Sequence, residues 1–294
     1  MHSRIHEFEI ISKYFEPKCK SYKSYIVAHK TTKKQFLLTR YNLQMLNMPP
    51  KILQERLLFL CKNYKLFRCE AVFFQNHLPS FDVLSPKVIS KFITIFYVVE
   101  PLPMVSLADY ATANLITSDF LFQHLPNVLN TLAAMHSVRF PYLNLSPFSI
   151  CFDDTLSLRP PPLNPYASEK SLMPPPPKVY RSSFRSINES RFYRAPEWES
   201  IDPFCPSDSW SLGSILAEYL IFGGPVFGSL SLEDQMKRTQ MILGPAPSFL
   251  KWAPATLTVP CELPSIILEL LDYDPNRRPW LCIHFCHRVL AFIH

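Results

Sequence analysis

The stretch DSWSLGSILAE occupies residues 208–218 and follows YRAPE, residues 193–197, after a gap of ten residues. It starts an apolar pattern with helical period that runs over Ser209–Phe222. Two glycines, Gly223–Gly224, close this pattern, as glycine commonly does after the last turn of a helix. The sequence therefore predicts a strongly apolar helix here, in a part of the chain whose character is mainly helical.

The first hundred residues have a different pattern. Short alternating runs within residues 7–43, separated by lysine-rich turns, predict antiparallel strands. Residues 70–76 and 92–99 predict two more strands, and apolar residues at helical spacing predict a helix over residues 51–62. We therefore expect an α+β fold, in which a small antiparallel β-rich part precedes a larger helical part with one helix over residues 118–136.

Four motifs in this order resemble those of the eukaryotic protein-kinase superfamily. YRAPE resembles the end of a kinase activation segment, and residues 208–218 resemble the D-x-W-S-L-G-x-I-L-A-E helix of the large lobe. ILGP at residues 242–245 is similar to a motif of the branch of cyclin-dependent and mitogen-activated kinases. LDYDPNRRP at residues 271–279 resembles the L-x-x-D-P-x-x-R-P pattern near the end of a kinase domain. The resemblance extends over nearly the whole chain.

The resemblance implies one bilobal, protein-kinase-like domain over residues 1–294. A small antiparallel β-rich N-lobe is expected over residues 7–100, a hinge over residues 101–103, and a larger, mainly α-helical C-lobe over residues 104–294. Within the C-lobe, the proline-rich stretch of residues 159–197 takes the place of the activation segment. Neither a helix nor a β-ladder can run through its proline clusters.

Three residues that support the large lobe in the family are present in this chain. The resemblance implies that Glu197 pairs with Arg278, and that Asp208 holds backbone N–H groups of the catalytic loop. Removing one partner of a buried ion pair costs about 3–5 kcal/mol, so such a pair matters for the fold whether or not the protein is a catalyst. We therefore expect the C-lobe scaffold to be intact.

The catalytic loop lacks the chemistry of the family. Residues 140–152, FPYLNLSPFSICF, follow the outline of the H-R-D-L-K-P-x-N loop and the strand after it. Asn144 stands at the position of the base, Ser146 at that of the lysine and Ser149 at that of the magnesium-binding asparagine. An asparagine amide is not a base near neutral pH. The D-F-G position falls near Pro160–Pro162, and proline offers no side-chain oxygen to magnesium.

The nucleotide-binding positions of the N-lobe are degenerate as well. The resemblance places Thr39 at the lysine of V-A-I-K, Glu55 as its helix partner, and Glu100 and Leu102 among the altered ATP-site positions. The chain has five glycines, where about 20 are expected for its length, and none lies in residues 1–212. Kinases need glycines in the loop that covers the phosphates of ATP, because bulky side chains there prevent the backbone from closing over them. ATP binding is therefore expected to be weak or absent, with no magnesium site and no other cofactor.

Three functions are compatible with these observations. The main interpretation is a pseudokinase, a kinase fold kept as a protein-binding scaffold or allosteric regulator without phosphotransfer. One alternative is an atypical active Ser/Thr kinase, which transfers phosphate from ATP and uses Lys13 in place of the missing lysine. Another is a proline-rich adaptor, because RPPPLNP at residues 159–165 fits the R-x-x-P-x-x-P pattern that Src-homology domains bind. The expected partner is a protein, with another kinase or a proline-recognition domain as candidates.

Composition excludes several other classes. A hydrophobic content of 48% and a charged content of 18% are typical of a globular protein and not of a disordered one. The net charge of +6 is mild, and the lysines of residues 13–34 are interpreted as a solvated sheet edge, not as a nucleic-acid site.

No apolar run is long enough to cross a membrane, and no signal peptide is recognised, so a cytoplasmic or nuclear location is expected. The eight cysteines are interpreted as reduced thiols, with a metal site at residues 282–287 as the weaker alternative.

Overall fold

A computed structural model describes residues 5–15, 21–46, 48–75, 95–102, 105–114, 116–163, 193–199, 204–221 and 263–291. The described part of the chain is α+β, with an antiparallel sheet and several helices, so the predicted fold class is confirmed at that level. The closing glycines at 223–224 and the motif at 242–245 lie outside the described residues, as do residues 164–192 of the proline-rich stretch.

The chain divides into two compact units. Unit 1 consists of Met1–Val105 and Leu158–Val179, and unit 2 consists of Ser106–Ser157 and Tyr180–His294. The sequence placed all residues from 104 onward in the second part, whereas the structure groups residues 158–163 with unit 1. The reason is local: the backbone oxygen of Leu158 accepts from the Arg68 backbone N–H at 2.7 Å, and the side chain of Arg159 also binds within unit 1.

Unit 1 is built on a five-stranded antiparallel sheet with the strand order β1-β2-β3-β5-β4. The strands are β1 (Phe8–Phe15), β2 (Tyr22–His29), β3 (Gln35–Asn42), β4 (Ala71–Phe74) and β5 (Ile95–Pro101). Helix α1 (Pro50–Asn63) begins with proline at its first position, where the missing N–H costs no hydrogen bond. The predicted strands and the predicted helix of this region are confirmed, although residues 92–94 lie outside the described part.

The two faces of this sheet carry different residues. One face has a buried apolar cluster, made by Val27, Phe36, Leu38, Ala71, Phe73, Ile95, Tyr97 and Val99. Side chains alternate along a strand, so Leu37, Thr39 and Glu100 lie on the opposite face, where each is buried. Because Leu37 pairs with Glu100 and Thr39 with Val98, the Thr39 and Glu100 positions are diagonal neighbours on adjacent strands.

Unit 2 is mainly helical. Its helices are α2 (Leu107–Ala113), α3 (Ser118–His124), α4 (Pro126–Ser137), α5 (Cys205–Leu216), α6 (Leu263–Leu270) and α7 (Ile283–Leu290). A small three-stranded sheet, formed mainly by residues of unit 2, has the order β6-β7-β8, with β6 (Val105–Ser106), β7 (Ile150–Phe152) and β8 (Leu156–Leu158). Among the described residues, no helix is long and apolar enough to cross a membrane.

Two helix predictions need correction. The single helix expected over residues 118–136 is two helices, because Pro126 has no N–H to continue the ladder and instead starts α4. Helix α5 begins at Cys205, four residues before the expected start, and changes after Leu216 into a π-helical turn over Ala217–Ile221. The early start is supported by the Ser207 hydroxyl, which accepts from the Phe204 backbone N–H at 3.3 Å.

The cysteines described are free thiols. Cys282 is exposed, whereas Cys286 is buried and its Sγ donates to the Leu129 backbone oxygen at 3.5 Å. Burial raises the pKa of Cys286 to about 12. The two thiols that were weighed as metal ligands therefore have different environments, and no group of three or more His, Cys, Asp or Glu in the described ranges could hold a metal ion.

Gly213 permits close packing of α5 against α6. A Cβ atom at this position would lie 2.8 Å from the Leu270 Cβ and 3.0 Å from the Leu271 Cγ. We expect Gly213→Ala to lower the free energy of unfolding by about 1–3 kcal/mol through overpacking, although alanine is intrinsically the better helix former. Urea denaturation followed by circular dichroism measures this, with Ser214→Ala as a control on the same helix. A more stable Gly213→Ala variant would mean that the two helices do not pack this closely.

Candidate functional site

Asp208 of α5 organises the loop that carries Asn144. Its carboxylate is 1% exposed and accepts the backbone N–H of Tyr142 at 2.6 Å and that of Leu143 at 2.7 Å. His136 of α4 adds a third contact, with Nε2 at 3.1 Å from Asp208 Oδ2. Because His136 Nδ1 accepts the Leu281 backbone N–H at 3.2 Å, Nε2 is the nitrogen that carries the proton and donates to Asp208. Asp208 therefore holds two backbone N–H groups of this loop, and the resemblance implied a contact of this kind.

These contacts hold the loop in a conformation that is unfavourable by itself. Leu143 has a φ of 63°, in the left-handed region that non-glycine residues rarely adopt. Such a backbone costs about 1–3 kcal/mol and persists where surrounding contacts fix it. Here the Leu143 N–H is fixed by a buried carboxylate, so the geometry of the loop depends on Asp208.

The side chains that the loop presents are neutral. Asn144, Ser146 and Ser149 are all buried. The Ser149 hydroxyl donates to the Ser146 backbone oxygen at 2.9 Å and accepts the Ser146 N–H at 3.0 Å, so it closes a local turn. Neither an amide nor a serine hydroxyl is a general base near neutral pH, and neither supplies the charged oxygens that magnesium prefers. The loop therefore has a fixed shape and carries neutral side chains at these three positions.

Glu197 and Arg278 form a buried bidentate ion pair in unit 2. The two Arg278 guanidinium nitrogens donate to the Glu197 carboxylate at 2.7 and 2.8 Å, and the residues are 2% and 6% exposed respectively. Arg278 Nε also donates to the Asp272 backbone oxygen at 2.6 Å, and the guanidinium lies over the Trp210 ring at 5.0 Å from its centroid. The Ser207 hydroxyl donates to Glu197 at 2.8 Å. Both buried charges therefore have an opposite charge and further hydrogen bonds that offset the cost of their burial.

The pKa of Glu197 reflects this compensation. Burial by itself raises the pKa of a carboxyl group, but hydrogen bonds from Arg278 and Ser207 stabilise the charged form. The second effect is the larger one in sum, so the pKa of Glu197 is lowered from its ordinary value. The charged form is thus the one that the folded protein stabilises.

Thr39 in unit 1, which the resemblance placed at the lysine position, carries no charge. It is 1% exposed, and its hydroxyl oxygen lies 3.2 Å from that of Ser24 on the neighbouring strand β2. The bond between two hydroxyl groups satisfies the side chain inside the sheet. Leu102, the other predicted position beyond β5, contributes its backbone N–H to the Gln35 oxygen at 3.1 Å.

The predicted helix partner of Thr39, Glu55, lies on helix α1. Glu55 is exposed, and the buried stripe of the helix consists of residues at helical spacing, including Leu53, Arg56, Leu57 and Leu60. Arg56 is the buried charged residue of α1, and its Nε donates to the backbone oxygen of Pro162 at 2.9 Å.

Lys13 lies on the other face of the sheet from Thr39. Lys13 is paired with Tyr25, and Tyr25 with Leu38, whereas Thr39 is paired with Ser24. Directly paired residues of antiparallel strands share a face, and neighbours along a strand do not. Lys13 is also exposed. Its register therefore places it with Leu38 and away from the buried Thr39 hydroxyl.

Glu100 and Arg159 form a second buried ion pair, this one in unit 1. Arg159 Nε and one terminal nitrogen donate to the two Glu100 carboxylate oxygens at 2.6 and 2.8 Å. Arg159 is 1% exposed and Glu100 is 3% exposed. Burial, and next the negative charge of Glu100, raise the pKa of the neighbouring Tyr41 hydroxyl. Sequence reasoning missed this pair, because its members lie 59 positions apart and no local pattern connects them.

The burial of Arg159 also changes the interpretation of the proline motif. The first residue of RPPPLNP is the buried Arg159, and the following residues, 160–163, are buried as well. The last two residues of the motif, 164–165, lie outside the described part. A domain that recognises this motif needs its arginine and prolines accessible, so the motif is unsuited to such binding in this conformation.

No protein-family model matches the chain, and no curated protein matches it. The geometry of the two ion pairs, the Asp208 contacts and the Asn144 loop therefore carries the functional argument.

Proposed function

We propose that the protein is a pseudokinase, a kinase-like chain that acts as a protein-binding scaffold or allosteric regulator and not as a phosphotransferase. One observation carries the proposal. Asp208 holds the loop of residues 142–149 through two backbone N–H groups, as expected of a kinase catalytic loop, while that loop contains no carboxylate and no lysine. The support for the loop is kept, and the groups it would support are absent.

Phosphoryl transfer depends on positioning, metal ions and a base. Asn144 cannot act as the base, and Ser149 uses its hydroxyl to close a turn. The lysine position is the uncharged Thr39. A missing base alone reduces the rate by about 10²–10⁴-fold, and missing metal ligands remove the main charge stabilisation.

The alternative of an active kinase is less well supported, because Lys13 and Thr39 lie on opposite faces of the sheet. The adaptor alternative is also less well supported, because Arg159 at the start of its motif is buried in an ion pair. For a scaffold, the expected partner is a protein, with another kinase as the first candidate.

A thermal-shift measurement with ATP tests the proposal. We expect no metal-dependent rise in melting temperature, because Thr39, Asn144 and Ser149 offer neither a phosphate anchor nor metal ligands. A ligand at 100 times its dissociation constant stabilises a protein by about 2.7 kcal/mol, which a melting curve resolves. The chain is compared in ATP with magnesium, ATP with manganese and ATP with a chelator. A rise with either metal that the chelator abolishes would favour the active-kinase alternative.

A further inference from the structure

Three contacts fasten residues 158–163 to the rest of unit 1. The Leu158 backbone oxygen accepts from the Arg68 N–H at 2.7 Å, and the Pro162 backbone oxygen accepts from Arg56 Nε at 2.9 Å. Between these anchors, Arg159 reaches Glu100 with two charge-assisted bonds of 2.6 and 2.8 Å. Residues 158–163 are thus held in the way that a protein holds a bound peptide, through two backbone oxygens and one charged side chain between them.

Glu100 has the properties of a binding site for a planar cation. Its carboxylate is 3% exposed at the end of β5, and a buried carboxylate is stable only with a charge partner or a proton. Its two oxygens accept in parallel from two nitrogens of one guanidinium group, which is the geometry that distinguishes arginine from lysine. Glu100 also lies on the face of the sheet that carries Thr39.

We propose that Glu100 is a guanidinium-binding site and that Arg159 is its internal ligand, so that a group of the chain itself occupies this position on the face of the sheet that carries Thr39. This inference rests on the proposed function, which makes the Thr39 face of the sheet the former nucleotide site. Under that proposal the site has lost its catalytic residues and is also occupied by a side chain of the protein. A free guanidinium or amidinium compound is the chemical class that fits the site when the Arg159 side chain is removed.

Chemical rescue tests the proposal. Arg159→Ala removes the atoms of N-ethylguanidinium from the site, and we expect the variant to melt about 6–20 °C below the wild type. Millimolar N-ethylguanidinium, far below denaturing concentrations, should raise the melting temperature of Arg159→Ala in a saturable manner. N-ethylurea, which has nearly the same shape without the charge, should not. The wild type should not respond, because its site is filled.

Two control variants identify the site. Arg277→Ala removes an arginine whose side chain is 75% exposed, so it should neither lower the melting temperature appreciably nor respond to N-ethylguanidinium. Adding Glu100→Gln to Arg159→Ala should abolish the rescue, because the carboxylate is gone. Equal rescue in that double variant, or none in folded Arg159→Ala, would overturn the proposal.

Refolding answers the same question if Arg159→Ala does not accumulate in a folded form. Recovery of folded protein from denaturant should then occur in N-ethylguanidinium and not in N-ethylurea, whereas equal recovery in both would contradict the assignment. A wild type stabilised by magnesium and ATP would refute the proposed function and leave the rescue result unchanged, so the two failures are distinguishable.

Discussion

Replacing either Glu197 or Arg278 by alanine is expected to lower the free energy of unfolding by about 3–5 kcal/mol. Each substitution leaves the partner as a buried charge without its counter-ion, since the two residues are 6% and 2% exposed. Arg278→Ala also leaves the Asp272 backbone oxygen without its 2.6 Å hydrogen bond and removes the guanidinium from the Trp210 ring. Chemical denaturation of both variants measures the loss.

The double variant separates the ion pair from the other contacts. Glu197→Ala combined with Arg278→Ala should cost clearly less than the sum of the two single losses, because no charge is left unpaired. Arg277→Ala is the matched control: it is the adjacent arginine, it is exposed, and its contact with Asp274 is a surface pair at 3.6 Å. We expect it to change stability by about 0–1 kcal/mol. Strictly additive losses would mean that Glu197 and Arg278 do not meet.

The pH dependence of stability provides a second test of the Glu197–Arg278 ion pair. The pKa of Glu197 is lower in the folded protein than its ordinary value of 4.5, because the bonds from Arg278 and Ser207 outweigh the effect of burial. Stability from this carboxylate is therefore present above pH 4.5 and is lost as the pH falls through the folded-state pKa. The stability of the wild type should fall more steeply on acidification than that of Glu197→Gln. Equal slopes would show that the carboxylate of Glu197 is not stabilised by its partners.

Periodicity was sufficient for the sheet of unit 1 and for helix α1. Short alternating runs predicted the first three strands, and β-branched and aromatic residues predicted β5, where both faces are buried. The break between α3 and α4 was missed although its signal, Pro126, was present in the sequence. The apolar stripe continues across the proline, so a pattern of hydrophobic spacing alone does not reveal the break.

Contacts between distant side chains were harder to predict from the sequence than strands and helices. The Glu197–Arg278 contact was expected only through the resemblance to kinases, because its members lie 81 positions apart. Glu100 and Arg159 had no such guide, and the arginine was interpreted as part of a motif for an external partner. A charged residue beside prolines is normally exposed, and only the fold shows that a buried carboxylate compensates this one.

Asp208→Asn is expected to lower the free energy of unfolding by about 3–5 kcal/mol, although it changes a carboxylate to an amide of nearly the same size. The carboxylate accepts three bonds, from His136 Nε2 and from the backbone N–H groups of Tyr142 and Leu143. An asparagine has one acceptor oxygen, so its NH₂ group faces at least one buried donor that can no longer be satisfied. The left-handed Leu143 then loses the contact that fixes it.

Hydrogen exchange locates the effect of this substitution. The Tyr142 and Leu143 amides should be protected in the wild type and should exchange much faster in Asp208→Asn, because local opening no longer breaks a bond to a buried charge. Asp154→Asn makes the same chemical change in an exposed turn and should leave both amides protected. If Asp208→Asn retained the protection of both amides, the loop would owe its shape to other contacts. The kinase-like support that we propose for this loop would then have no structural basis in Asp208.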